Sequence, residues 1–129
     1  MHKYNFFFLK MPIALSLLGH GLVRIPKLAF FASNMAADME HSVFPVAILT
    51  IMGYVIPVAE LFLGILLLVG IKLRYTIYGS LTLMGILIIG SSSVENWGAI
   101  QAQLIHSIYL GLVLWWYNTY VDLSDKKVT

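Results

Sequence analysis

The sequence predicts an all-α integral membrane protein: a four-helix bundle with a short amphipathic helix between its first and second membrane helices. Three observations carry that expectation. Hydrophobic residues make up 60% of the 129-residue chain and charged residues only 11%, whereas soluble proteins are about one quarter charged. Four apolar stretches each approach the roughly 20 residues needed to cross a hydrocarbon core. Glycine, proline and charged clusters punctuate the chain between them. The expected membrane helices cover about residues 5–24, 46–69, 75–90 and 99–117, within one transmembrane domain spanning residues 1–129.

At the N-terminus, Lys3 precedes the apolar run Phe6 to Leu9, which superficially resembles a signal peptide. Hydrophobicity resumes after Lys10 and continues from Met11 to Val23 without a small-residue cleavage pattern, so a retained first helix is expected. Lys10 is expected to snorkel towards the headgroups. Pro26 disfavours helical geometry at Ile25 and marks a kink or a new helical start. From Pro26 to Glu40, Leu28, Phe31, Met35 and Met39 recur at helical spacing, with Ser33, Asn34, Asp38 and Glu40 on other faces. This pattern suits an amphipathic helix lying on the membrane surface or capping the bundle.

Pro45 introduces the second membrane helix, Val46 to Val69, and the charged turn at Lys72 and Arg74 leads to the third. Gly90 to Gly98, rich in serine with one asparagine, reads as a loop. Trp115, Trp116, Tyr117 and Tyr120 form an aromatic girdle at the exit of the fourth helix, ahead of a polar tail after Asp122. Four crossings place Lys3, Lys10, Lys72, Arg74, Lys126 and Lys127 on one side, and Arg24 and Lys27 on the other. By the positive-inside rule both termini are cytoplasmic. Gly64, Gly79 and Gly111 are expected to serve helix packing.

Composition also excludes functions. A net charge of +2 with scattered basic residues does not suggest a nucleic-acid partner. With no cysteine, disulfide exchange, iron–sulfur ligation and cysteine-type zinc sites are ruled out.

Glu60 is the residue that demands explanation. A charged group at the centre of a membrane helix costs about 2.5 to 3.5 kcal/mol on insertion scales, so it must be neutral, paired or facing a polar cavity. Gly53, Pro57, Glu60 and Gly64 share one face of their helix. Ser16, His20 and Arg24 share a face of the first helix, and Gln103, His106, Ser107 and Gly111 one of the fourth. Gly79, Thr82 and Gly90 form the uncharged stripe of the third. His20, Arg24, Glu60, Gln103 and His106 are therefore the candidate interior polar site. Each also has a purely structural reading: Glu60 bonded to Arg24, a histidine or a neighbouring backbone and so locking helix packing, the histidines bonding across helices, Arg24 anchoring at headgroups or pairing with Glu60.

His20-Gly21-Leu22-Val23-Arg24-Ile25-Pro26-Lys27-Leu28 resembles the histidine-glycine element near the end of the first helix of the DoxX family of small bacterial membrane proteins. The segment from Pro57 to Gly70, with Glu60 and Gly64 and followed by Arg74, is similar to that family's second helix, and Tyr120 to Asp125 resembles its ending without the usual glycine-rich lead-in. The resemblance implies a four-helix protein of the bacterial inner membrane. One branch of the family is similar to the small subunit of an archaeal thiosulfate:quinone oxidoreductase, and other members are accessory subunits of redox or stress-response assemblies. The cysteine pairs of some redox-linked relatives are missing here.

The expectation for function is thus a membrane subunit or accessory protein of a quinone-linked respiratory complex, partnered by other membrane subunits and not catalytic alone. The five polar side chains would hold a quinone head group or manage a proton, and no catalytic residue is assigned. The alternative is a non-redox protein that binds lipid or scaffolds a membrane assembly. His20 and His106 as axial haem ligands form a weaker option, because the paired-histidine helices that would favour it are missing; no other metal is expected.

Overall fold

A computed structural model describes residues 2–122, with side chains described for residues 3–121; the expected resemblance at Leu123 to Asp125 and the polar tail lie outside the described residues. The described chain is entirely helical apart from short turns: α1 (His2–Arg24), a 3-10 turn (Ile25–Lys27), α2 (Leu28–Asp38), α3 (Val46–Val69), α4 (Leu73–Ser93), α5 (Trp97–Trp116) and a closing π-helical turn (Tyr117–Asp122). Four helical stretches, Lys3–Asp38, Val46–Val69, Leu73–Ser93 and Trp97–Val121, are long and apolar enough to cross a membrane. Many of their large apolar side chains, Phe62, Ile105 and Ile108 among them, are exposed on the outside of the bundle, as expected of a surface meeting lipid tails instead of water.

The central packing unit is α3 against the combined run of α1 and α2. A side chain on Gly64 would bring a Cβ to 2.5 Å from the Leu18 backbone nitrogen, and one on Gly21 to 2.6 Å from the Leu61 nitrogen. Gly53 meets Ala32 of α2 in the same way, at 2.6 Å from its Cα. Lipid supplies no hydrophobic drive for helices to associate, so backbone approach at small residues is what makes the contact favourable. The predicted stripe Gly53, Pro57, Glu60 and Gly64 is buried along its whole length. Its spacing of four, three and four keeps it on one side of a 3.6-residue helix.

The amphipathic helix α2 packs on the N-terminal half of α3, through Ala32 against Gly53. Its predicted face, Leu28, Phe31, Met35 and Met39, is the half-buried one. Pro26 sits in the first positions of the 3-10 turn that joins α1 to α2, where its missing N–H is harmless.

Several expectations are corrected. The segment from Gly90 to Gly98 is not one loop, since α4 runs on to Ser93 and α5 begins at Trp97. Ser93 donates its hydroxyl to the Gly90 carbonyl and so follows the helix instead of breaking it. The reversal is confined to Val94, Glu95 and Asn96; Glu95 has φ +54° and Asn96 caps α5 by accepting from the Ala99 N–H. Lys10 does not snorkel outward: it is buried, and its Nζ donates to the carbonyls of Leu67 at 2.7 Å and Leu68 at 3.0 Å. These are orphan carbonyls of the last turn of α3, which ends at Gly70 in the left-handed conformation (φ 90°). A Cβ added at Gly111 would meet nothing within 4 Å, so this glycine marks no close packing contact. Thr82 is exposed and turns its hydroxyl back to the Tyr78 carbonyl, away from the interior stripe expected of it.

Candidate functional site

Arg24 and Glu60 form the core of the site. Arg24 ends α1, just before the 3-10 turn, and donates from Nη1 to Glu60 Oε2 at 2.6 Å. Glu60 is 2% exposed, and as the fifteenth residue of α3 it lies about 21 Å along the helix from Val46 at 1.5 Å per residue. Arg24 is thus paired with an acid inside the bundle, the pairing that stood beside headgroup anchoring as its reading. The guanidinium also lies over the Phe31 ring, 4.7 Å from its centroid, a cation–π contact that gains strength away from water. The break between α1 and α2 lets Arg24 reach across to α3 while Phe31, seven residues on, returns to cover it.

The two histidines flank the pair. His20 Nδ1 is 4.0 Å from Glu60 Oε1 and its ring centroid is 5.9 Å from that of His106. His106 Nδ1 is 2.8 Å from the Ala102 carbonyl and Nε2 is 2.8 Å from Ser16 Oγ. A carbonyl only accepts, so Nδ1 carries the proton; in the neutral ring Nε2 then accepts from the Ser16 hydroxyl. Both nitrogens of His106 are therefore engaged within the protein. Among the described residues no group of three or more His, Cys, Asp or Glu side chains converges as a metal site would require.

His20, Arg24, Glu60, Gln103 and His106, the five residues predicted from helical spacing, line one cavity of about 270 Å³. Its remaining walls are mostly apolar, with Ile56 of α3 and Met84 and Leu87 of α4 among them. Gln103 donates from Nε2 to Ser91 Oγ at 2.9 Å, while its Oε1 is buried without a hydrogen-bond partner. His20 is half exposed and leaves the chamber open on its side. The chamber thus offers a cationic donor, a carboxylate, an imidazole and an unpaired carboxamide oxygen among mostly apolar walls, groups able to hydrogen-bond a compact polar head group.

Ser107, predicted on the same face, gives its hydroxyl proton to the Gln103 carbonyl of its own helix. Phe31, Met35 and Ala102 line the chamber without having been singled out for it; apolar residues at helical spacing look the same whether they meet lipid, core or cavity. Ser16 was on the predicted face of α1, but its partnership with His106 joins positions ninety residues apart. No family model matches the chain, and no curated protein or solved structure matches it either.

Proposed function

We propose that the protein is a multi-pass membrane subunit that holds a quinone-type head group in the chamber around Arg24 and Glu60, as an accessory part of a quinone-linked redox assembly. The observation that supports this best is the convergence of His20, Arg24, Glu60, Gln103 and His106, from three membrane helices, on one cavity with apolar walls. A hydroxylated ring would find a donor in Arg24 and, for its own hydroxyl, an acceptor in the unpartnered Gln103 Oε1. The resemblance to the DoxX family in the His20 to Leu28 and Pro57 to Gly70 segments adds to the reading. So does the absence of cysteine, which leaves electron chemistry to a bound ligand or to another chain.

In this reading the chain sits in a bacterial inner membrane with both termini cytoplasmic, as the excess of Lys and Arg at the N-terminus and at the Lys72 to Arg74 turn favours. Its exposed apolar faces pack against other membrane subunits or lipid. Arg24 binds and orients the head group, Glu60 holds Arg24, and Ser16 fixes His106.

The test is to delete the protein and measure quinol-dependent electron transfer in membranes, together with assembly of the respiratory complexes on native gels. Loss of either, restored by the wild-type chain and not by Arg24→Gln, is the expected result. Normal electron transfer and assembly, with the purified protein free of quinone, would overturn the reading in favour of a lipid-binding or scaffolding role.

A further inference from the structure

Beside the polar chamber lies a second cavity of about 350 Å³ between α2, α3 and α4, walled almost entirely by apolar side chains, among them Met35, Met39, Ile48, Met52, Ile86 and Ile89. The two are adjacent. Met35, Ile56 and Leu87 line both, and the hydrogen bond from Gln103 to Ser91 joins a wall of one to a wall of the other. We infer that the two cavities form a single site for a single-tailed amphiphile, whose hydroxylated head occupies the chamber and whose hydrocarbon tail lies in the methionine-lined cavity. This inference rests on the proposed head-group site and extends it to the part of the ligand that no polar residue can read.

Three features argue for a tail as the occupant. The polar chamber alone is smaller than the roughly 300 to 1,000 Å³ of typical small-molecule sites, whereas the joined cavities fall within that range. Ile48, Ile86 and Ile89 are 48%, 43% and 62% exposed, so apolar residues of the cavity wall reach the outside of the bundle, where a hydrocarbon chain could approach. Methionine side chains have three rotatable bonds and adapt to a flexible chain better than branched residues do. At the head end, the buried Gln103 Oε1 has no donor within the protein; a ligand hydroxyl supplies one and removes the cost of an unsatisfied acceptor.

The experiment uses the full chain in lipid nanodiscs with two photoreactive probes, a decyl-tailed benzoquinol and a decyl alcohol, each carrying a diazirine at the tail end. A tailless benzoquinol, measured by titration, reports on the chamber alone. With the tailed quinol, labelling is expected to concentrate on Met39, Met52 and Ile89. It should fall at least about tenfold in both Met52→Trp and Gly90→Leu, a change of about 1.4 kcal/mol or more in binding free energy, while tailless quinol binds both variants as it binds wild type. Gly90 is suited to this because a Cβ there would point at Met39 Cε from 3.4 Å, an ordinary contact that a longer side chain extends into the cavity. Tailed-quinol labels spread without preference over lipid-facing residues such as Ile105 and Ile108, or undiminished in both variants, would overturn the inference. Retained binding of the tailless quinol would then leave the chamber reading standing. Cavity labelling by the alcohol with no binding of either quinol would instead uphold the amphiphile site and sink the quinone reading; no cavity labelling by either probe would overturn the inference.

Discussion

Lys10 Nζ stands 2.7 Å from the carbonyl oxygen of Leu67, fifty-seven residues away, and binds the end of α3 to the start of the chain. An ammonium at a helix C-terminus meets both orphan carbonyls and the negative end of the helix dipole. Lys10→Met keeps the aliphatic stem and removes the donor, leaving the Leu67 carbonyl buried without it. A loss of about 1 to 3 kcal/mol is expected, read as a lowered Tm in detergent. An unchanged Tm would mean that water or another donor replaces the ammonium.

The Arg24–Glu60 pair should behave as a unit. Removing one partner of a buried pair costs about 3 to 5 kcal/mol, and with Arg24 29% exposed the lower end is expected for Arg24→Ala. Glu60→Gln keeps an acceptor for Arg24 without the charge and should fold; Glu60→Lys, which sets two cations together, should not. A double-mutant cycle over Arg24→Met and Glu60→Met is expected to give a coupling of about 1 to 3 kcal/mol. Strict additivity would contradict the pairing.

Glycine substitutions offer a contrast within one fold. Gly64→Ala drives a methyl into the backbone of Leu18 and is expected to cost about 1 to 3 kcal/mol, the usual penalty for overpacking. Gly111 has open space around it, so Gly111→Ala should be neutral or stabilising by up to about 1 kcal/mol from helix propensity. Equal effects at the two sites would rule out the close α1–α3 contact.

Membrane orientation is open to direct labelling, because the chain has no cysteine of its own. A thiol introduced as His41→Cys, between α2 and α3, should react with an impermeant reagent added outside intact cells. One introduced as Ile71→Cys, beside Lys72, should react only after permeabilisation. The reverse pattern would invert the proposed topology.

How much of the site is legible in the sequence depends on the kind of interaction. Glu60 stands out because an acid in an apolar run has a large insertion cost, whatever its neighbours. Helical periodicity groups Gly53, Pro57, Glu60 and Gly64, and separately His20 with Arg24 and Gln103 with His106, since residues three and four apart share a face. The same reasoning misplaced Lys10, whose apolar stem and charged head serve a snorkelling lysine and a buried cap equally well. It also stopped α4 at Gly90, because a glycine followed by serines looks like a turn when the back-bonding of Ser93 is out of view.

The sequence by itself therefore determined the class of the protein, the approximate helices and the residues available to an interior polar site, all of which follow from local hydrophobicity and period. Only the tertiary structure decided which partners those residues take: Arg24 with Glu60, Ser16 with His106, Lys10 with the end of α3. It alone set the methionine-lined cavity beside the chamber. The physical reason is that a hydrogen bond or a cavity wall depends on how helices far apart in sequence cross and how closely their backbones approach. Here that approach is set by contacts of Gly21, Gly53 and Gly64 with Leu61, Ala32 and Leu18, pairings that no local period encodes.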